Sequence, residues 1–408
     1  MPDPPNTPTH PGSGEIRRLG EVARAFLKLG LTSFGGPVAH IGYLRAEFVT
    51  KRRWLDEPAY ADLVALCQFL PGPASSQLVF ALGMSRCGWL GGVLASLMFT
   101  LPSAVLMIAF GCGVAALGDL HGARWVHGLK LAAVAVVAQA VWGMARALCP
   151  DPARAGIAAL AATALLVYPG GWLQIAVIGA GAAAGWILYR RRVSISDRRA
   201  ESDGRRHIVP ILLLAAFAAL LAILPILSRA TAHPGIISFD GFYRAGSMVF
   251  GGGHVILPLL RAEVVPDGAV ADDTFLAGYG AAQALPGPLF TFAGYLGTVM
   301  HGGSNRWLGG LWCILAIFLP GWLLIAGTLP YWHQLRAKSW VQACLRGANA
   351  AVVGVLLAAL VNPVWMQGVR NVADFVIAGA AFGLLQWLRL PPLLVVAMVV
   401  GACLLPVG

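Results

Sequence analysis

Uncharged hydrogen-bond donors gather at four points of this chain, and each point is a break of glycine or proline in an apolar run. Ser33, Phe34, Gly35, Gly36 and Pro37 make the first, and Gln68, Pro71, Gly72, Pro73, Ser75, Ser76 and Gln77 surround the second. Ser247, Phe250, Gly251, Gly252, Gly253 and His254 make the third, and Gln283, Pro286, Gly287, Pro288 and Thr291 the fourth. A helix that restarts after such a break begins with N–H groups that have no partner within the helix. Those groups carry partial positive charge and form a ready anion site. Hydroxyl, amide and imidazole donors beside them suit an oxyanion. Singly, such side chains in membrane helices often only bond across helices or repair freed backbone. Their clustering at repeated breaks favours ligand contact.

The four breaks are two, written twice. Residues 34–47 read FGGPVAHIGYLRAE and residues 250–263 read FGGGHVILPLLRAE, a shift of 250 − 34 = 216. QFLPGP at 68–73 returns as QALPGP at 283–288. Gly91-Gly92 and Leu101-Pro102 recur as Gly309-Gly310 and Leu319-Pro320, and Leu129-Lys130 as Leu345-Arg346. Pro102 and Pro320 read as structural kinks.

Charged candidates follow the first break of each half. Arg45 and Arg261 stand nine residues past the second glycine, ~13 Å along a helix. They either help draw anions into a vestibule or snorkel to headgroups. Glu47 and Glu263 could carry a coupled proton or pair with neighbouring bases, Glu47 with Lys51 at i,i+4. Asp374 lies near an expected helix start, and no clear proton relay emerges.

The surrounding sequence must hold these residues in a membrane. Of 408 residues 58% are hydrophobic and 12% charged, with a mean hydropathy of +0.73. A soluble surface needs about 25% charged residues, so this one faces lipid. Leu129–Leu148, Gly156–Leu188, Ile208–Leu227, Trp307–Leu329 and Ala348–Val361 are apolar runs on the scale of the roughly 20 residues that cross a bilayer. The net charge of +11 gathers in loops, as membrane topology requires, so nucleic acid is not implied. Seven cysteines and nine histidines show no CxxC or metal spacing, and no cofactor or metal is expected. No GxxxxGK[ST] appears, which argues against ATP-driven transport.

The fold expected is an all-α polytopic membrane protein of two homologous halves. The first runs over 21–190 and the second over 239–408. Residues 1–20 read as a disordered cytoplasmic tail, and 191–238 as a charged linker plus one unduplicated apolar helix. The segments flanking each break hold about 10–13 residues, ~15–20 Å, too short to cross alone. Two hairpins dipping to the midplane fit these lengths better than two kinked spans, and about four crossings follow in each half. One extra linker helix would invert the second half. Charge agrees: Lys51-Arg52-Arg53 follow the first motif, whereas PDGAVADD at 266–273 follows the second and brings Asp267, Asp272 and Asp273. The expected orientation places the N-terminus in the cytoplasm and the C-terminus outside, with the linker and the Arg336–Arg346 loop inside.

Duplicated breaks in an inverted repeat imply a transporter with its site between the repeats. The FGG…RAE element and the later PGP, both doubled over about 400 residues, resemble the chromate ion transporter family in its two-domain form. That resemblance implies a bacterial inner-membrane exporter of chromate, conferring resistance, with sulfate as the natural competitor. It carries over to Phe34, Gly35, Gly36, Pro37, Arg45, Glu47, Gln68, Pro71, Gly72, Pro73 and their second-half partners. FGGP in the first half against FGGG-His254 in the second indicates halves that are no longer equivalent. The alternatives are transport of sulfate or another oxyanion, and a passive anion channel using the same helix ends. A membrane enzyme reducing the oxyanion has no redox cysteine pair, flavin, haem or nucleotide motif behind it. The oligomeric state stays open, with a homodimer among the arrangements allowed.

Overall fold

The computed structural model describes residues 11–34, 36–118, 123–168, 171–189, 208–250, 253–300, 305–332 and 338–404. Gly35, Gly251, Gly252, the Pro37 side chain and the charged linker at 190–206 lie outside the described residues. All regular structure among the described residues is helical. The first half holds α1 (Pro11–Thr32), α2 (Gly36–Arg45, continued by a π turn Ala46–Lys51), α3 (Glu57–Phe69), α4 (Ala74–Leu117), α5 (Arg124–Leu148), α6 (Pro152–Val167) and α7 (Gly171–Tyr189). Helix α8 (Ile208–Thr231) is the unduplicated connector. The order then repeats as α9 (Pro234–Ser247), α10 (Ile256–Val264), α11 (Asp272–Ala284), α12 (Phe292–Met300), α13 (Arg306–Thr328), α14 (Ser339–Ala359), α15 (Val372–Gln386) and α16 (Pro392–Leu404). The match is complete once α4 is seen as two helices. Its backbone leaves helical geometry at Cys87 and Gly88, where φ reaches 62°. Residues 74–86 therefore answer to α12, and 89–117 to α13.

Local sequence explains the boundaries. Asp56 accepts a hydrogen bond from the Ala59 N–H at 2.9 Å, with Pro58 in the first turn of α3. Asp151 caps α6 in the same way through Arg154 at 3.0 Å, and Asn371 caps α15 through Asp374 at 2.8 Å. Such caps satisfy N–H groups that a helix start leaves unpaired.

Several boundaries differ from the sequence expectation. The helix before the first break begins at Pro11 rather than Glu21, with Val22, Ala25, Phe26 and Leu29 forming its buried stripe. The run 156–188 is two helices meeting near Tyr168, not one span. Arg346 lies inside α14 rather than in a loop.

Among the described residues five helices are long and apolar enough to cross a membrane: α4, α5, α8, α13 with its following turn, and α14 with the turns that extend it. Helices α6, α7, α15 and α16 have 16, 19, 15 and 13 residues. At ~1.5 Å per residue α6, α15 and α16 fall short of a ~30 Å core, while α7 reaches about 28 Å.

The broken segments are hairpins. Phe26 of α1 stacks on Phe48 with ring centroids 4.7 Å apart, and Lys28 Nζ lies 4.0 Å from Glu47. Farther down, Glu21 bonds Arg52 at 3.3 Å and Trp54 at 3.2 Å. In one continuous helix Phe26 and Phe48 would stand ~33 Å apart. The chain doubles back at the first break. In the second half Arg244 Nη2 meets Glu263 at 2.9 Å, the same pair of positions as Lys28 and Glu47. For α11 and α12, the Tyr295 hydroxyl donates to the Thr274 carbonyl at 2.8 Å.

The mouths of these hairpins open at opposite faces. Arg86, at the end of the first part of α4, bonds Glu21 at 3.0 Å beside the α1–α2 mouth. The rest of α4 then runs ~43 Å away from that mouth. Helix α5 returns from the far end, and its Lys130 pairs there with Asp273 at the start of α11. The second half is therefore inverted relative to the first.

The halves are also interleaved. Helix α5 packs on α15 and α16 of the other half, while α14 packs on α6 and α7. Glycines allow these crossings: a β-carbon on Gly128 would stand 2.7 Å from Val400 Cα, and one on Gly185 would stand 2.6 Å from the Gly347 nitrogen.

Candidate functional site

Each hairpin tip of one half is hydrogen-bonded to a tip of the other. The Gly287 N–H donates to the Ser33 carbonyl at 2.9 Å, and the Gly72 N–H donates to the Val249 carbonyl at 2.7 Å. These are one bond made twice, since 249 − 33 = 216 and 287 − 72 = 215. The PGP glycine of each half thus holds the chain just before the FGG of the other. Glycine is required at both places. Gly72 has φ 120° and Gly287 φ 94°, and a β-carbon would meet Gln77 Nε2 at 2.8 Å or Ser103 Oγ at 2.7 Å.

The long helices come close to the tips at matching points. A β-carbon on Gly30 would stand 2.6 Å from the Phe99 carbonyl oxygen, and one on Gly246 would stand 3.1 Å from Pro320. Pro102 and Pro320 are each followed by a residue lying against a PGP tip of the opposite half: Ser103 against Gly287, and Gly321 against Pro73. The prolines read as kinks therefore sit at the level of the junction.

Around this junction lie donors and acceptors that find no partner among the described residues. Ser33 is buried and its hydroxyl has none there; the same holds for Ser76 Oγ and Gln77 Oε1, while Gln77 Nε2 bonds the Pro71 carbonyl at 2.8 Å. Gln283 is half-buried, with its amide nitrogen inaccessible and unpartnered. Ser75, Gly253, Pro286 and Pro288 are buried, and Phe34, Pro71 and Phe250 half-buried. The first helical N–H bond of α4 is made by Gln77, to Pro73, so the N–H groups of Ala74, Ser75 and Ser76 precede it. Other residues read as candidates are engaged or turned away. Thr291 donates to the Pro288 carbonyl at 2.9 Å and Ser247 to the Tyr243 carbonyl at 2.7 Å. Gln68 is exposed on the last turn of α3.

His254 bonds the Tyr279 hydroxyl through Nδ1 at 3.1 Å. Its Nε2 faces the first break, 3.7 Å from where a β-carbon on Gly36 would stand, and Gly36 has φ 75°. His40 is buried, with Nε2 3.2 Å from the Ser33 carbonyl. Tyr279, Ser103 and His40 were not singled out from the sequence. Only His40 left a trace there, as a polar residue inside the first repeated motif.

Arg45 and Arg261 are at the mouths, not the tips. Arg45 pairs with Glu57, and Arg261 makes a two-pronged pair with Asp272 at 2.9 and 3.0 Å. The two pairs are again repeat equivalents and tie the first hairpin of each half to the second. Glu47 bonds Arg52 at 2.7 Å, with Lys51 at 3.8 Å and Lys28 at 4.0 Å. Burial works to raise its carboxyl, but the Arg52 hydrogen bond and the three positive charges outweigh that and hold it below the ordinary value. Burial pushes the Glu263 carboxyl up; Asp240 and Asp267 add to the push, against the pull of Arg244. Both acids lie at hairpin mouths outside the spanning helices. A cavity of about 500 Å³ opens beside Glu263, lined by Arg229, Asp240 and Arg244 and reaching Met248 at the third break.

Two inverted repeats whose re-entrant tips interlock define a class, the membrane transporter with its site at the repeat interface. The chain belongs to the chromate transporter family, whose sequence profile matches residues 20–186 and again 236–405. A probable chromate transport protein of Synechococcus elongatus is 27% identical over 390 residues, spanning 94% of this chain and 95% of its own. A chromate transport protein of Pseudomonas aeruginosa is 30% identical over 353 residues, 83% of this chain and 79% of its own. One of Cupriavidus metallidurans is 27% identical over 370 residues, 88% and 86% respectively. No solved structure matches the chain.

Proposed function

We propose that this protein exports chromate, a tetrahedral divalent oxyanion, from the cytoplasm by secondary transport across the bacterial inner membrane. The observation that carries the reading is the reciprocal pair of bonds, Gly287 to Ser33 and Gly72 to Val249, which gathers the four breaks where the halves meet. There the starts of α2 and α4 offer N–H groups, and Ser33, Ser76 and Gln283 offer side-chain donors with no partner among the described residues. A dianion held by neutral donors leaves no fixed charge behind when it departs, which suits a carrier that must release what it binds. The family membership and the relatives named for chromate support the cargo.

Rocking of one bundle against the other, each drawn from both halves, would expose the junction to each face in turn. With Lys51, Arg52 and Arg53 at the first mouth, that mouth and the N-terminus face the cytoplasm. Efflux of a dianion is then favoured by about 2.3 kcal/mol per charge per 100 mV, about 4.6 in total, so resistance needs no proton coupling.

The test is uptake of radiolabelled chromate into inside-out vesicles under an imposed voltage, with sulfate as competitor. Saturable, voltage-driven uptake that sulfate inhibits is expected, with Gly72→Val and Gly287→Val reducing it to background. Unsaturable flux without exchange of labelled for unlabelled anion would replace the carrier by a channel. Sulfate movement without chromate movement would replace the cargo.

A further inference from the structure

Resting on that reading of the junction, we infer that Tyr279 positions His254 so that its Nε2–H is the side-chain donor to the oxyanion at the first break. Tyr279 is fully buried on α11, and among the described residues the one hydrogen-bond partner of its hydroxyl is His254 Nδ1 at 3.1 Å. A buried phenol proton needs an acceptor. Nδ1 supplies it only in the tautomer whose proton sits on Nε2. That second nitrogen faces Gly36, and among the described residues beyond Gly36's own chain neighbours and helix backbone it is the one heavy atom within 4 Å of the place a β-carbon would take there. An N–H is thus aimed at the first break.

The pair belongs to the second half alone. At the equivalent positions of the first half, 254 − 216 = 38 and 279 − 215 = 64, stand Val38 and Val64. The scaffold thus folds with apolar residues at both places, and neither the histidine nor the tyrosine is needed to close a tip. The dyad is what makes a symmetric frame hold an anion asymmetrically, nearer the first break than the third. Tyr279 touches no substrate in this arrangement; it acts through the imidazole.

The test compares side chains that keep one nitrogen or the other. In vesicles carrying the full chain, His254→Gln places an amide N–H near Nε2, whereas His254→Asn places it near Nδ1. The glutamine variant is expected to keep the KM for chromate within about twofold. His254→Asn and Tyr279→Phe are expected to raise it roughly tenfold while the maximal rate changes little, because a donor to a charged ligand is lost. Melting temperature without anion should be nearly the same for all three, and a merely structural role would instead lower it and the maximal rate together. A wild-type KM in Tyr279→Phe overturns the positioning role. Equal KM values for the glutamine and asparagine variants overturn Nε2 as the donor. If these variants transport normally while Gly72→Val does not, the dyad fails and the junction stands. If Gly72→Val also transports normally, the junction itself fails.

Discussion

In the proposed site, glycine, serine and glutamine at the tips would do the work that fixed charges do in many anion sites. Backbone and amide donors would hold the oxyanion by geometry, in a neutral frame that does not trap it. The acids are the exception, and they are not alike. Glu47 sits among Arg52, Lys51 and Lys28, which hold its carboxyl below the ordinary value, whereas burial and two aspartates push that of Glu263 above it. If voltage alone drives export, Glu263→Gln should leave voltage-driven chromate uptake within about twofold of wild type. A loss of transport that an imposed pH gradient no longer influences would instead assign a coupled proton to that carboxyl. The arginines read as possible anion guides are bound to Glu57 and Asp272, and their contribution is to the hairpin mouths.

At the scale of elements, long-range side-chain pairs hold hairpins to spanning helices. Lys130 on α5 is 2% exposed and pairs with Asp273 on α11, joining a helix of the first half to a hairpin of the second. Removing one partner of a buried pair strands the other charge and costs about 3–5 kcal/mol, whereas removing both is often nearly neutral. Lys130→Met should therefore lower the melting temperature by several degrees, and Lys130→Met with Asp273→Leu should recover most of that loss. A double variant no more stable than the single would mean that the pair is not the tie between α5 and α11. The neighbouring His127–Asp374 hydrogen bond, 2.8 Å long, also ties α5 to α15.

The whole molecule is an inverted pair whose halves exchange partners, α5 with α15 and α16, and α14 with α6 and α7. Inversion makes a direct topological prediction. In a cysteine-free background, Arg53→Cys should react with a membrane-impermeant maleimide in inside-out vesicles, and Asp267→Cys only in right-side-out ones. Labelling of both from one face would overturn the inversion. The interleaving also means that rocking cannot be a motion of residues 21–190 against 239–408 as separate blocks. The moving bodies have to be drawn from both, with the paired tips as the level about which they turn.

Much of this was readable in the chain itself. Apolar composition, the doubled FGG and PGP, the extra apolar span at 208–227 and the change of charge between Lys51–Arg53 and Asp267–Asp273 are local properties, visible without any contact. They determine a multi-pass helical protein in two inverted halves, because clustered glycines and prolines interrupt an apolar helical run and one added crossing reverses every later helix. Tertiary structure alone decided which break meets which. Nothing local says that Gly72 reaches Val249 or Gly287 reaches Ser33, since each bond closes only when both halves are packed. The same holds for Arg45 and Arg261, whose spacing from the breaks left open whether they face an anion or a carboxylate. It holds again for Tyr279, an unremarked residue of an apolar helix until folding sets its hydroxyl against His254. Breaks in a helix are written residue by residue; the partners of those breaks lie some two hundred residues away, and only packing selects them.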